Sequence, residues 1–372
     1  MRSIIQTAEL IRALFRIQGI AERKTNRPVL SHVLLQASSL EGGLVVRATN
    51  LEVAIGGTYP AEILEEGSVL VQAKQLYEII KSLSASQVEL VGKANHWLEI
   101  SAGSSQFKLV GMPSQDFPEM AEDASVEMFS VPSDKFLGMV ERTQFCVSTD
   151  ENRASLGGIY CERTTANSMR MVSTDGHRLA VATCTFDRDI KTPLGVLVPR
   201  KALQELKRIV ADPSASHDDI EIGFSSTAGH FKIGNVTLIT RLIDAKFPDY
   251  KQVIPEQSKH EIKLSRVVVS DALKRVSSLS QGKTHGVRFV FEPGKLEIVA
   301  EDPEFGVARE TIMLDDCPLE LSIAFNARYI MDVLGLITEQ GFVLCVSDDL
   351  SPTIIRPIED QGFTAVVMPM RL

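Results

Sequence analysis

Val196-Leu-Val-Pro-Arg-Lys-Ala-Leu-Gln-Glu-Leu-Lys-Arg-Ile-Val210 is the stretch that decides how the chain is built. A β-branched apolar run meets Pro199, and a helical pattern follows with Leu203, Leu206 and Val210 on one face. The pattern stands twice more, as Leu70-Val-Gln-Ala-Lys-Gln-Leu-Tyr-Glu-Ile-Ile80 and Ala324-Phe-Asn-Ala-Arg-Tyr-Ile-Met-Asp-Val-Leu334. Aligned without gaps, Lys74, Lys201 and Arg328 coincide at a constant interval of 127 residues. So do Glu78, Glu205 and Asp332, and so do Leu76, Leu203 and Ile330. A base, an apolar residue and an acid at fixed offsets on one helix mark an internal repeat.

Working outward, each copy carries an earlier helix. The first is expected at about residues 7–18, with Thr7 as N-cap and Leu10, Ile11 and Leu14 as its apolar stripe. The second follows Ser133 with Phe136, Leu137 and Val140; the third follows Ser265 with Val268, Val269 and Ala272. Nine residues past each cap stands a base: Arg16, Arg142, Lys274. Between and after the helices lie short alternating runs, such as Leu44-Val-Val-Arg-Ala-Thr-Asn50, Met169-Arg-Met-Val-Ser-Thr-Asp175 and Leu296-Glu-Ile-Val-Ala-Glu-Asp302, which end on turn-forming Asn or Asp. Short turns between them favour antiparallel sheets with the helices on one face. The fold class is therefore α+β, with three similar domains, each of two helices packed on antiparallel sheets, at 1–124, 125–256 and 257–372. The joints are polar and follow Phe117-Pro118 and Phe247-Pro248.

The composition, 44% hydrophobic and 23% charged, is that of a soluble globular protein. No signal peptide or membrane span is evident, so a cytoplasmic location with no membrane partner is expected. Five scattered cysteines without a C-x-x-C pair read as reduced thiols, with no metal site, disulfide framework or cofactor implied. A net charge of −9 speaks against nucleic acid only as a sum, because basic and acidic faces can be segregated. The bases recurring on both helices of each copy, Arg16, Arg142 and Lys274 with Lys74, Lys201 and Arg328, would then form a track for phosphates without sequence readout.

Candidate enzymatic motifs read poorly. Gln281-Gly-Lys-Thr284 lacks the earlier glycine of a phosphate-binding loop, with Ser277 in its place. Ser280-x-x-Lys283 has no companion motifs, and the sequon Asn235-Val-Thr237 lies in a strand. Thr174-Asp-Gly-His-Arg178 gathers a hydrolase-like Asp175 and His177, but neighbours on a strand and turn point different ways, and Asp-Gly is a hairpin signal. The matching Thr49-Asn50-Leu51 and Glu301-Asp302-Pro303 hold no histidine, so His177-Arg178 suits a site used once per chain.

Over essentially its whole length the chain resembles the bacterial DNA polymerase III beta subunit, the sliding clamp. The resemblance rests on Arg27-Pro-Val-Leu-Ser-His-Val-Leu-Leu35, Thr174-Asp-Gly-His-Arg-Leu-Ala-Val181, Val198-Pro-Arg-Lys201, Phe247-Pro-Asp-Tyr250, Phe325-Asn326, Asp332-Val-Leu334 and Val367-Met-Pro-Met-Arg-Leu372. It implies a non-enzymatic tether: a head-to-tail homodimer of pseudo-six-fold form, encircling double-stranded DNA without regard to sequence, loaded by a clamp loader and bound by DNA polymerases and repair proteins. It carries DNA contact onto Lys24, Lys74, Arg153, Arg200 and Lys201. Ala154-Ser155 and Gln252 stand where members carry an aromatic and a base. A partner-peptide pocket maps onto Leu156, Thr174, Gly176, His177, Arg178, Leu179, Pro248, Val253, Tyr329, Val366, Met368, Pro369, Met370, Arg371 and Leu372. Two methionines beside a proline make a pliable apolar surface for related peptides. The dimer seam maps onto Phe107 and Leu109 of one chain against Ser278 and Leu279 of the next, beside Glu301, Asp302 and Glu304; Ser104 and Gln106 replace basic residues there, with Lys108 close by. The rival reading is a repeat scaffold that binds proteins without encircling DNA.

Overall fold

The computed structural model describes residues 1–21, 26–118, 125–191, 195–211, 218–279, 285–315 and 317–371. Among them are six helices, two per repeat: α1 (Thr7–Ile17), α2 (Ala73–Ser82), α3 (Ser133–Gln144), α4 (Arg200–Val210), α5 (Arg266–Ser277) and α6 (Ala327–Leu334). The strands pair antiparallel, as the short turns require.

Contacts divide the chain into two compact units. The first comprises Met1–Asp134 and Val198–Leu242. Its smaller sheet runs Ala61–Glu65, Arg2–Gln6, Gln87–Gly92, Leu98–Ala102, Ser105–Leu109. Its larger sheet has nine strands: Gly111–Met112, Gly67–Gln72, His32–Ser38, Gly43–Thr49, Val53–Tyr59, Val236–Arg241, Ala228–Ile233, Asp219–Phe224, Phe129–Pro132. That sheet crosses from the first repeat to the second where Ile55 lies opposite Leu238. Helix α1 packs on α2 and on Gly43–Thr49 and Val53–Tyr59, burying Leu10, Ala13, Leu14 and Ile17.

The second unit comprises Lys135–Leu197 and Ile243–Leu372. Its eight-stranded sheet runs Val196–Pro199, Gly158–Thr165, Ser168–Thr174, Arg178–Thr185, Phe363–Val367, Thr353–Pro357, Gly341–Val346, His260–Ser265. The crossing from the second repeat to the third falls where Leu179 lies opposite Val366. A four-stranded sheet runs Gly306–Met313, Lys295–Asp302, Gly286–Glu292, Leu321–Asn326. Helices α5 and α6 cover a core in which Phe289 meets Phe325 edge-on, with centroids 5.4 Å apart. The compact units thus follow the sheets, and the middle repeat gives strands to both. An antiparallel repeat leaves unpaired edges, and pairing one repeat's edge with the next satisfies those backbone groups.

Two local expectations change and one holds. Thr7 is the first helical residue of α1 and not its cap; its hydroxyl donates to the Ala85 carbonyl at 2.6 Å, and Gln6 stands at the N-cap. Ser265 does cap α5, accepting from the Val268 amide at 3.5 Å. The bases on the first helices do not form a common exposed track. Arg16 is 4% exposed, within 3.5 Å of the Tyr59 hydroxyl and 3.4 Å of Asn235 Oδ1. Arg142 is held by Asp360 at 2.6 Å over the Phe363 ring, and only Lys274 points outward. Periodicity places a residue on a helix face but does not say which faces are covered. Gln281–Thr284 and Ser280 lie outside the described residues.

Removing a buried charged side chain strands its partners, whereas an exposed one is nearly neutral. We therefore expect Arg16→Ala to lower stability by about 2–3 kcal/mol and Lys274→Ala by less than about 0.5 kcal/mol in urea denaturation.

Candidate functional site

The turn after Ser168–Thr174 is built by side chains that close on their own backbone. Thr174 Oγ1 donates to the Arg178 carbonyl at 2.7 Å and accepts from the Gly176 amide at 3.1 Å. Asp175 Oδ1 accepts from the amides of His177 and Arg178, each at 3.0 Å. Gly176 takes φ +91°, the left-handed region glycine favours. Across the repeat junction, the Met368 amide donates to the His177 carbonyl at 2.9 Å.

Arg178 holds this turn to its surroundings. Its Nε donates to Asp175 Oδ2 at 3.0 Å, one terminal nitrogen to Asp332 Oδ2 on α6 at 2.6 Å, and the other to the Phe145 carbonyl at 2.8 Å. Its guanidinium lies 4.4 Å from the Tyr329 ring centroid, and His177 stacks on Tyr329 with centroids 6.4 Å apart. Burial alone would lower the Arg178 pKa, but the Asp332 and Asp175 carboxylates outweigh it and hold the pKa above its ordinary value. Asp175 thus serves the arginine and the turn, while the His177 ring serves Tyr329. No triad geometry arises from these residues.

A cavity of about 670 Å³ opens beside the turn. The expected Leu156, Thr174, Gly176, His177, Arg178, Leu179, Pro248, Val253, Val366 and Met368 line it. Tyr329 stands behind it through His177 and Arg178 without lining it. Pro369, Met370 and Arg371 are not in its wall; Met370 is drawn away by its amide bond to the Ala324 carbonyl at 2.8 Å. Leu372 lies outside the described residues. Sequence reasoning missed Asn152, Ala154, Ser155, Lys246 and Tyr250 as lining, and assigned Arg153 to DNA although it too faces the cavity. The Phe-Pro-Asp-Tyr motif was the available signal for Lys246 and Tyr250.

The first unit has a matching turn and junction. Leu51 takes φ +76°, and the Arg241 amide donates to the Glu52 carbonyl at 2.8 Å. Yet Glu52, Val53 and Arg241 replace His177, Arg178 and Met368, so the arginine anchor and the methionine edge are missing there, although Ala54 and Ile239 keep the matching floor positions apolar.

The bases on the second helices are placed differently from those on the first. Lys74, Lys201 and Arg328 are each the second residue of α2, α4 and α6, whose first turns contain no acid. The helix dipole disfavours a cation at that end, so helix stability does not account for them. Lys74 and Arg328 are exposed, Lys201 and Arg200 half-buried. Lys24 lies outside the described residues. Among seam residues, Phe107 and Leu109 lie half-buried on the edge strand Ser105–Leu109; Ser278, Glu301 and Glu304 are exposed, Leu279 and Asp302 half-buried. Lys108 is already engaged by Glu99 at 2.9 Å, which also holds Lys93 at 3.0 Å. Four cysteines are buried and Cys184 partly so, all as free thiols. No helix among the described residues is long and apolar enough to cross a membrane.

Models of the DNA polymerase III beta subunit match the chain in three successive segments: the N-terminal domain at residues 1–121, the central domain at 130–249 and the C-terminal domain at 251–371. The beta sliding clamp of Pseudomonas putida is 33% identical over 373 residues, and that of Caulobacter vibrioides 32% over 378, each covering 100% of both chains. The crystal structure of a sliding clamp from Bartonella birtlesii bound to griselimycin superposes with a TM-score of 0.94 at 30% identity, covering 100% of both chains. Matched from end to end in sequence and in fold, the chain belongs to the DNA polymerase III beta subunit family, the beta sliding clamps.

Proposed function

We propose that this protein is a processivity tether: two copies join head to tail in a ring around duplex DNA, and DNA polymerases, the clamp loader and repair proteins dock on it through short peptides. Its three domains are the repeats 1–124, 125–256 and 257–372. It catalyses no reaction, needs no metal or cofactor, and works in the cytoplasm. The observation that carries this reading is the cation in the first turn of α2, α4 and α6, set against the helix dipole. A side chain placed there three times at a cost to its helix serves a ligand, and a row of cations serves phosphate. A ring is held by topology, so such contacts can stay weak and mobile, and a net charge of −9 over the whole chain limits sticking.

Docking is assigned to the cavity beside Gly176, where apolar Leu156, Leu179, Val366 and Met368 meet a few polar groups, the usual make-up of a peptide site. The seam is assigned to the two free edge strands, Ser105–Leu109 and Gly306–Met313. With Lys108 committed to Glu99, and with Phe305 and Val307 66% and 54% exposed, this seam is apolar more than ionic.

Loaded onto a nicked plasmid, the protein should co-elute with circular DNA and fall off on linearisation; equal retention on both would reject encirclement. Lys74→Glu with Lys201→Glu should lower loading several-fold, and unchanged loading would remove the phosphate track. Truncation after Val367 should abolish peptide binding while the dimer persists by light scattering. Raising salt from 0.1 to 0.5 M, which shortens the screening length about twofold, should leave dimer dissociation nearly unchanged.

A further inference from the structure

The wall of the cavity formed by Pro248, Tyr250 and Val253 belongs to a segment with little backbone support. No strand lies between Arg241 and His260. The main-chain bonds of its first part are the Leu242 amide to the Thr227 carbonyl at 2.8 Å, the Ile243 amide to the Leu197 carbonyl at 2.9 Å, the Ala245 amide to the Ile243 carbonyl at 3.0 Å, and the Gln252 amide to the Asp249 carbonyl at 3.4 Å. Side chains do the holding. Phe247 stacks on Tyr160 with centroids 5.0 Å apart and rings 3° from parallel. Tyr250, 5% exposed, sends its hydroxyl to Glu162 Oε1 at 2.5 Å and receives an N–H of Arg170 at 3.1 Å. Glu162 and Arg170 are direct cross-strand partners on Gly158–Thr165 and Ser168–Thr174, and Arg170 Nε is steadied by Thr183 Oγ1 at 3.2 Å. The strand that carries Arg170 runs on into Thr174 and the turn at Gly176, on the other side of the same cavity.

We infer that Tyr250 is a positioning residue for the peptide site, its hydroxyl locked by the Glu162–Arg170 cross-strand pair so that the wall of Pro248 and Val253 stands ready before a peptide arrives. This rests on the peptide-docking reading of the cavity. Phe247 anchors the start of the segment, but the stretch from Pro248 to Val253 takes its placement from the Tyr250 hydroxyl, and is correctly set only while that bond is made. Without it the competent form becomes a fraction of the population, and apparent affinity falls by that fraction. The chemistry calls for tyrosine: phenylalanine keeps the packing on Phe247 but offers nothing to the carboxylate and guanidinium below. The effect should appear in the association rate, because peptide meets a closed or displaced wall more often, and less in dissociation once bound.

The test uses the full-length dimer and a short fluorescein-labelled peptide with leucine and phenylalanine anchors, read by stopped-flow anisotropy. Tyr250→Phe should weaken binding about 5- to 10-fold, mostly through slower association, with dimer mass and circular dichroism unchanged. Glu162→Gln should give a smaller loss, and the double variant should be no weaker than Tyr250→Phe alone. Wild-type affinity in Tyr250→Phe, or effects that multiply in the double variant, would overturn the inference while leaving the peptide site standing. Failure of the wild-type protein to bind would remove both. A second readout is alkaline titration. Burial first, then the bond to Glu162, push the Tyr250 hydroxyl up to about 12. Besides Glu162 and Arg170, Lys251 lies over its ring at 5.9 Å. A folded value above the unfolded one means the contribution is whole below pH ~10 and is lost as pH rises through ~12. The stability gap between wild type and Tyr250→Phe should close over that window; a constant gap would show that the hydroxyl is not held as described.

Discussion

Everything in this molecule depends on an edge that must be covered. An antiparallel repeat ends in a row of free N–H and C=O groups, and leaving such a row open costs solubility or stability. Here Val53–Tyr59 is covered by Val236–Arg241, and Arg178–Thr185 by Phe363–Val367. These junctions make continuous sheets out of separate repeats. They also bring strand ends from successive repeats side by side. The cavity beside Gly176 sits at one such place, with Leu179 and Val366 as register partners in its floor.

Why one junction carries a cavity of this kind follows from a few side chains. His177 and Arg178 anchor the turn to Tyr329 and Asp332, and Met368 supplies a pliable apolar edge. In the matching turn of the first unit the backbone geometry persists, down to the positive φ at Leu51, but Glu52 and Arg241 make it polar. The repeat preserved the hydrogen-bonded frame and let the lining diverge. The helices diverged in the same way. Glu205 is engaged by Arg208 at 2.6 Å and Asp332 by Arg178, whereas Glu78 is exposed.

The sequence made the architecture legible because the repeat was written in it three times. Helix positions, strands and antiparallel class followed from spacing alone, and much of the cavity wall followed from the resemblance. Other features depend on three-dimensional neighbours that no spacing reports. Arg16 occupies the same repeat position as Lys274 yet is buried against Tyr59, because the sheet of the first unit closes over it. Tyr250 closes the Phe247-Pro-Asp-Tyr250 motif, but its hydroxyl partners lie 80 and 88 residues away, on strands whose pairing brings them together. Arg153, which the resemblance assigns to phosphate, also lines the cavity, beside the short 3₁₀ turn Ala154–Leu156, a placement that no spacing reports.

The long-range junctions also govern how the protein can be made. Val53–Tyr59 leaves the ribosome with one side unpaired, and its partner Val236–Arg241 follows about 180 residues later, roughly 10–40 s at ordinary translation speed. A second wait of similar length separates Arg178–Thr185 from Phe363–Val367. During each interval a strand rich in apolar residues stands open to any other chain, so nascent copies crowded on one message are exposed to mispairing. Gly56 and Gly57 in the waiting strand, poor β-formers, weaken it as a template until its own partner arrives.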